Sequence, residues 1–178
     1  VTCFCLDELP SGNYDDFTME NLTVMTLDPE NLRAAMRAWS AGVTVVTAVH
    51  EGSRHGMTVN SFTSISLDPA LVTISLQQST RTHELVTKSR AFGLTMLSSG
   101  QIKISDLFAG RVSDVEDRFA DLKTETLITG SPLIVGGLAW LDCRIHSRLP
   151  AGTHTLYVGE IERLGARPDA GSPLLYWN

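Results

Sequence analysis

HGMTVNSFTSISLDP, residues 55–69, combines the apolar residues of a β-strand with an unusual number of short polar ones. Valine, isoleucine, phenylalanine and threonine favour strands. We therefore expect one strand over His55–Leu67, with Ile65 and Leu67 in the core and a turn at Asp68-Pro69. Short polar side chains leave room for a planar heteroaromatic ring close to the backbone, whose N–H and C=O groups can satisfy the polar edge of the ring.

A second polar segment, Ser79-Thr80-Arg81-Thr82, follows the next predicted strand, Leu71–Gln77, and opens a short helix that extends to about Ser89. The start of a helix offers unpaired N–H groups and a favourable dipole, and the hydroxyls and the guanidinium add donors suited to an anion. A ring platform followed one strand later by an anion site predicts a phosphorylated planar cofactor. The same residues also fit solvent-facing hydroxyls and a Ser79 that only caps the helix.

The rest of the chain is rich in strands joined by short turns. The other predicted strands are Val43–His50, Phe92–Leu97, Leu133–Val135, Ala139–Leu149 and His154–Leu164. Strands do not alternate regularly with helices, which argues against a doubly wound parallel sheet. We predict a mainly β fold of six or seven strands with three short helices, built as an antiparallel barrel of Greek-key type.

The first helix is predicted to begin at Asp28-Pro29-Glu30, which supplies a capping carboxylate, a proline in the first turn and an acidic residue near the positive end of the dipole. Leu32, Met36 and Trp39 are spaced at i, i+4 and i+7, so we expect this helix to bury one face until Gly42 ends it.

Length and composition limit the class of protein. The chain has 178 residues, enough for one domain, and we assign residues 1–27 to an N-terminal extension and 28–178 to the folded domain. A net charge of −6 argues against nucleic acid as a partner, and the apolar runs are too short to span a membrane. An odd count of cysteines, with no recognisable secretory signal, favours the cytoplasm. Cys3-Phe4-Cys5 has no second pair at zinc spacing, so no metal site is predicted.

Familiar nucleotide and catalytic motifs are missing from the sequence. It contains no G-x-G-x-x-G, no G-x-x-x-x-G-K-[ST], no H-E-x-x-H and no G-x-S-x-G. A flavin or a nucleotide would therefore bind through another architecture.

The stretch 55–69 resembles the signature of the flavin reductase-like, FMN-binding split-barrel family, and later segments agree with that family in the same order. These segments are Ser79–Thr82, Phe108–Gly110, Asp117–Phe119, Pro132-Leu133, Ala139–Arg144, Gly152–Glu160 and Pro173–Tyr176. The resemblance runs from about Leu32 to Tyr176. It implies a split β-barrel, a homodimer, and NAD(P)H:flavin oxidoreductase activity that supplies reduced flavin to a partner monooxygenase.

The resemblance also implies roles for single residues. Those implied to bind the flavin are Thr58, Val59, Asn60, Ser61 and Phe62 at the isoalloxazine, Ser75 and Gln77 at the ribityl chain, and Ser79, Arg81 and Thr82 at the phosphate. His154 takes the place of a histidine near the nicotinamide, although a purely structural strand histidine fits equally well. The family has an aspartate before this histidine, and this chain has Thr153.

The implied reaction is hydride transfer from nicotinamide C4 to flavin N5, chemistry that the cofactors supply and the protein positions. FMN or FAD, and NADH or NADPH, remain open choices at this point. Two other functions also remain open: a flavoprotein with permanently bound flavin that acts on its own substrate, and a non-catalytic flavin- or haem-binding module.

Overall fold

The computed structural model describes residues 23–112, 117–167, 169 and 171–177. The chain divides into two compact units, Val1–Arg37 and Ala38–Asn178. The predicted boundary at residue 28 stays a prediction, and Cys3 and Cys5 lie outside the described residues.

In the first unit, helix α1 spans Pro29–Met36 and is capped as predicted, since the Asp28 carboxylate accepts hydrogen bonds from the backbone N–H groups of Glu30 and Asn31, both at 2.9 Å. The helix is shorter than predicted, and none of its residues is buried. Leu32 and Met36 are 53% and 55% exposed, so the expected buried face is wrong. The i, i+4 spacing identifies an apolar stripe but does not supply a surface that covers it.

In the described residues of the second unit, strands dominate. They are β1 (Ala41–Gly42), β2 (Thr44–His50), β3 (Ser53–Val59), β4 (Thr63–Leu67), β5 (Ala70–Gln77), β6 (Ala91–Met96), β7 (Thr124–Glu125), β8 (Leu133–Ile134), β9 (Ala139–Ala151), β10 (His154–Ala166) and β11 (Leu175–Tyr176). Two α-helices, α2 (Arg81–Ser89) and α3 (Ile102–Phe108), are inserted between strands, and the short 3₁₀ turn Ser99–Gln101 precedes α3. No helix in the described part of the chain is both long and apolar enough to cross a membrane.

The main sheet has seven strands in the order β3-β2-β6-β9-β10-β5-β4, and every neighbouring pair is antiparallel. The predicted single strand over His55–Leu67 is therefore two strands, β3 and β4, at opposite edges of this sheet. Only Asn60–Phe62 connects them. Because so short a segment spans at most about 14 Å, the sheet has to curl until its two edges come close, which makes it a split barrel.

Ser61 holds this closure in place. Its hydroxyl donates to the carbonyl of Ser75 on β5 and accepts from the N–H of the same residue, both at 3.0 Å. One serine side chain thus satisfies the two backbone groups that a neighbouring strand would otherwise pair.

Two clusters of buried residues form the core. The first includes Val46, Ile74, Phe92 and Tyr157, and α2 adds Leu85 and Val86 to it. The second includes Val45, Leu97, Phe108 of α3, Phe119 and Ile134. Since consecutive residues of a strand point to opposite faces, Val45 and Val46 place β2 between the two clusters, buried on both sides.

The end of β4 differs from the sequence-based expectation. Ile65 is 51% exposed and Leu67 is 90% exposed, so the prediction that both return to the core is wrong. β4 is an edge strand paired only with β5 among the described strands, and its register is irregular between Ser64 and Ser66. An irregularity of this kind shifts which side chains point inward.

Replacing Ser61 by alanine removes both hydrogen bonds to Ser75 and leaves two backbone groups of β5 without their partner. We expect the free energy of unfolding to fall by about 1–3 kcal/mol, the range for a polar group left unsatisfied. Urea denaturation followed by circular dichroism measures this change. The exposed Ser64 provides the control, and equal midpoints for Ser61→Ala and Ser64→Ala would contradict the role given to Ser61.

Candidate functional site

The last two residues of β3 and the crossing segment, Asn60–Phe62, which joins β3 to β4, carry the predicted isoalloxazine residues. Thr58 donates through its hydroxyl to the carbonyl of Ser105 at 2.7 Å, which fixes the end of β3 to α3. Val59 is buried, and Phe62 packs against the first core cluster. Asn60 is exposed and, with its two preceding residues, lines a hollow of about 260 Å³.

The size of this hollow limits what it encloses. Pockets that bury most of a small-molecule ligand usually measure about 300–1,000 Å³. The hollow is partly open, and its other lining residues are Val43 before β2, Ser105 of α3, Ala109 and Arg111 after that helix, and Tyr176 of β11. It therefore suits one part of a larger ligand, such as one ring system.

The predicted anion loop, Ser79–Thr82, comprises the end of the turn after β5 and the first two residues of α2. Thr80, rather than Ser79, caps α2, because its hydroxyl accepts from the N–H of His83 at 3.3 Å. Ser79 is exposed, and the exposed guanidinium of Arg81 donates to the Ser53 hydroxyl at 2.8 Å. The first N–H groups of a helix have no partner within the helix, so this turn presents backbone donors beside Arg81. The arrangement suits a phosphate.

Thr82 differs from its neighbours in the loop. It is completely buried, and its hydroxyl lies 2.8 Å from Nδ1 of His55 on β3. What Thr82 can offer a phosphate is therefore its backbone N–H, while its side chain fixes α2 to β3. Its predicted role as a phosphate ligand stays a prediction.

His55 is half-buried beside two cations. Burial lowers its pKa from the ordinary value of 6.5, and the positive charges of Arg118 and Arg81 lower it further. The folded protein thus favours the neutral imidazole. A neutral His55 suits a hydrogen-bonded link between β3 and α2 better than a charged ligand for an anion.

His154 is the first residue of β10 and lies opposite Gln77 of β5 in the sheet register. Both side chains are exposed. The Thr153 hydroxyl lies 2.9 Å from Nδ1 of His154, so a hydroxyl contacts the ring at the position where the family has a carboxylate. Nε2 of the exposed ring is left available for a ligand.

The structure brings the predicted residues together through β5. Ser75 contacts Ser61 of the crossing segment, Gln77 lies beside His154, and Ser79 follows at the same end of the strand. Three residues separate Ser75 from Ser79, so their Cα atoms lie at most about 14 Å apart. The crossing segment, the anion loop and His154 therefore occupy one end of the barrel.

The loop that contains Asp117–Phe119 contacts both β3 and α3. The Arg118 guanidinium donates to the carbonyls of Gly56 and Phe108, at 3.3 Å and 3.2 Å. Phe119 is buried and meets the Phe108 ring edge-on at 5.0 Å between centroids. Asp117 pairs with Arg54 of β3 at 2.7 Å. These contacts make the loop a support for β3.

Two residues with contacts in this region were absent from the sequence-based site. Ser53 accepts from Arg81, and Gln78 contacts the turn before His154. Both contacts join residues far apart in the sequence, which no local pattern in the sequence reveals.

Another hollow, of about 330 Å³, lies beside the β7–β8 hairpin and has mostly apolar walls, among them Leu133, Trp140 and Leu164. None of the predicted site residues lines it. It is thus separate from the predicted cofactor site.

Comparison with known proteins tests the family. Residues 36–178 match the model of the flavin reductase-like domain. The NADH-dependent flavin reductase StyB of Pseudomonas fluorescens is 36% identical over 157 residues, which are 88% of this chain and 89% of that protein. The chain belongs to the flavin reductase-like family.

Two further relatives have names that state an activity. The reductase component of 4-nitrophenol 4-monooxygenase/4-nitrocatechol 2-monooxygenase from Rhodococcus opacus is 32% identical over 89% of this chain and 83% of that protein. The structure of the NADH:FAD oxidoreductase SgcE6 of Streptomyces globisporus C-1027, in complex with NAD and FAD fragments, has a TM-score of 0.77 and 33% identity, and covers 86% of this chain and 93% of that one. The predicted family, the mainly β split-barrel fold and the enzyme class of flavin reductase are confirmed.

The lowered pKa of His55 in this flavin reductase-like chain predicts a pH dependence of stability. Below about pH 6.5 the unfolded chain takes up a proton on this histidine more readily than the folded protein does, so stability falls as the pH drops below that value. His83, whose pKa is also lowered chiefly by burial, contributes in the same direction. His55→Gln should make the loss of stability between pH 7 and pH 5 smaller, as measured by urea midpoints. An unchanged pH dependence in this variant would contradict the assignment.

Proposed function

We propose that this chain is an NADH-dependent flavin reductase that binds FMN or FAD and passes the reduced flavin to a partner monooxygenase. The observation that carries the proposal is the placement of the anion loop, His154 and the Asn60–Phe62 crossing around β5 at one end of the barrel. The names of the relatives support the choice of NADH and of a monooxygenase partner.

Each group of residues has a proposed task. The crossing segment offers the flavin ring a surface of backbone and small side chains, with exposed Asn60 available to its polar edge. Arg81, Ser79 and the first N–H groups of α2 hold the phosphate. His154 positions the nicotinamide through Nε2, since its Nδ1 contacts Thr153.

The residues that we propose to bind the cofactor are those predicted from the sequence, namely Thr58, Val59, Asn60, Ser61, Phe62, Ser75, Gln77, Ser79, Arg81 and Thr82. The Ser61 hydroxyl already has two backbone partners on Ser75, so what this residue offers the ring is its small size and its own backbone. The Thr58 hydroxyl is likewise engaged with α3.

The bound cofactors supply the redox chemistry, a hydride transfer from reduced nicotinamide to flavin. The protein supplies binding and orientation. No side chain of the proposed site has to act as a nucleophile, so substitutions here are expected to change binding and geometry more than chemistry.

We also propose that the chain forms a homodimer that completes the flavin site. The hollow beside Asn60 is partly open, so a ring bound there has one side left to be covered by another surface. Among the described strands β4 is paired on one side only and carries exposed Ile65 and Leu67, and such an edge favours association.

A cytoplasmic location fits this proposed function. Cys143 is buried with a free thiol, and burial is the main cause that raises its pKa to about 12. A buried thiol of this kind is unreactive and is consistent with a reducing compartment.

Anaerobic stopped-flow mixing with NADH, and separately with NADPH, tests the proposed activity. We expect NADH to bleach the absorbance band of added FMN or FAD, and expect NADPH to do so less efficiently. Absence of bleaching with either nucleotide would contradict the proposal and favour a non-catalytic binding module. Reduction of free cytochrome c by the released flavin then separates a diffusing product from a permanently bound flavin.

Arg81→Ala tests the phosphate site. FMN carries the phosphate and riboflavin does not, so we expect this variant to bind FMN about ten-fold more weakly and riboflavin almost unchanged, consistent with the loss of one charged hydrogen bond. Isothermal titration measures both affinities. Arg144→Ala, at an exposed arginine of β9 paired with Glu162, serves as the control. Equal weakening of both flavins would place the phosphate elsewhere.

A further inference from the structure

His154 lies at the tip of the longest hairpin in the described chain. β9 and β10 are each 13 residues long and are joined through Gly152 and Thr153, with Gly152 at a φ of +58°. All four residues from Ala151 to His154 are exposed. A tip of this kind is mobile unless other elements hold it.

Gln78 holds this tip at two points. Its backbone N–H donates to the carbonyl of Thr153 at 3.0 Å, and its side-chain Nε2 donates to the carbonyl of His154, also at 3.0 Å. Both carbonyls belong to residues that determine where the imidazole lies, because His154 carries the ring and the Thr153 hydroxyl contacts it. The position of the imidazole therefore depends on both contacts.

Gln78 is also the residue immediately before the anion loop. The loop is fixed on the strand side, because the N–H and the hydroxyl of Thr80 both donate to the carbonyl of Gln77, at 3.1 Å and 2.8 Å. Gln78 lines the same hollow as Ser79 and Arg81. A ligand that orders this loop consequently also orders the residue that holds the hairpin tip.

We propose that Gln78 is a positioning residue that couples occupation of the anion loop to the placement of His154. This inference rests on the proposed function, since it takes the loop as the phosphate site and His154 as the residue that positions nicotinamide. Binding of a flavin phosphate between Ser79 and Arg81 fixes Gln78, and Gln78 in turn fixes the carbonyls of Thr153 and His154. The phosphate thereby improves the binding of the nicotinamide, a coupling between two sites.

The coupling is measured by comparing two electron acceptors. With FMN as acceptor the KM for NADH should be lower than with riboflavin, which lacks the phosphate, by about two- to ten-fold, the effect of one net hydrogen bond. Gln78→Met has a side chain of similar length and no donor. This variant loses the side-chain bond to His154 and keeps the backbone bond to Thr153, so its KM for NADH with FMN should rise toward the value with riboflavin, with a smaller change in kcat.

Two results would overturn the proposal. One is a KM ratio between riboflavin and FMN near one in the wild-type protein, and the other is an unchanged ratio in Gln78→Met. A purely structural role for Gln78 would raise the KM for NADH equally with both acceptors. Ser147→Met, at an exposed position of β9 in the same hairpin, is the control and should retain the wild-type ratio.

A second measurement needs no turnover, so it distinguishes failure of this inference from failure of the proposed activity. FMN should slow amide hydrogen exchange of the tip, residues 151–155, in the wild-type protein, and should slow it much less in Gln78→Met. Riboflavin should have little effect in either protein. Equal protection by FMN in both proteins would contradict the coupling even if the enzyme is active.

Discussion

The short crossing between the two edge strands is the constraint on which the rest of this fold depends. β3 and β4 are the two edge strands of a seven-stranded sheet, yet only Asn60–Phe62 separates them in the chain. The sheet is therefore forced to curl, and Ser61 secures the junction by satisfying both backbone groups of Ser75. The junction leaves Asn60 exposed beside Ser61, whose hydroxyl contacts β5, the strand that leads into the anion loop.

This constraint explains why the crossing region is rich in short hydroxyl side chains. The Thr58 hydroxyl fixes β3 to α3, and the Ser61 hydroxyl replaces the hydrogen bonds of a neighbouring strand. Longer side chains at these positions would hold the strand ends farther apart. The same small residues leave the backbone accessible to a flat ligand, so one set of residues serves both closure and the proposed binding site.

Local signals in the sequence predicted most elements correctly. The capping residue Asp28 and the strands that end at His50 and at Gln77 depend on neighbours within a few residues, and the structure confirms them. The break within His55–Leu67 was missed, because residue types favourable to strands continue through the crossing. Ile65 and Leu67 were placed in the core because an apolar residue type does not reveal that its strand lies at a sheet edge.

The functional site shows the same division. Ser79 and Arg81 were proposed as anion ligands from their residue types after a strand, and His154 from the family resemblance, and these roles stay predictions. The contacts of Gln78 and the pairing of Thr82 with His55 were not predictable, since each joins residues far apart in the sequence that only the tertiary fold brings together. Residue types thus suggested candidate ligands, and long-range contacts show that the Thr58 and Ser61 hydroxyls are already engaged within the protein.

The most direct test of the central claim, that the crossing and the loop after β5 form one flavin site, is a crystal structure of the protein with FMN. The account predicts the isoalloxazine along Thr58–Phe62 and the phosphate within hydrogen-bonding distance of Ser79 and Arg81. FMN bound with its phosphate away from this loop, or with its ring away from the crossing, would contradict the account.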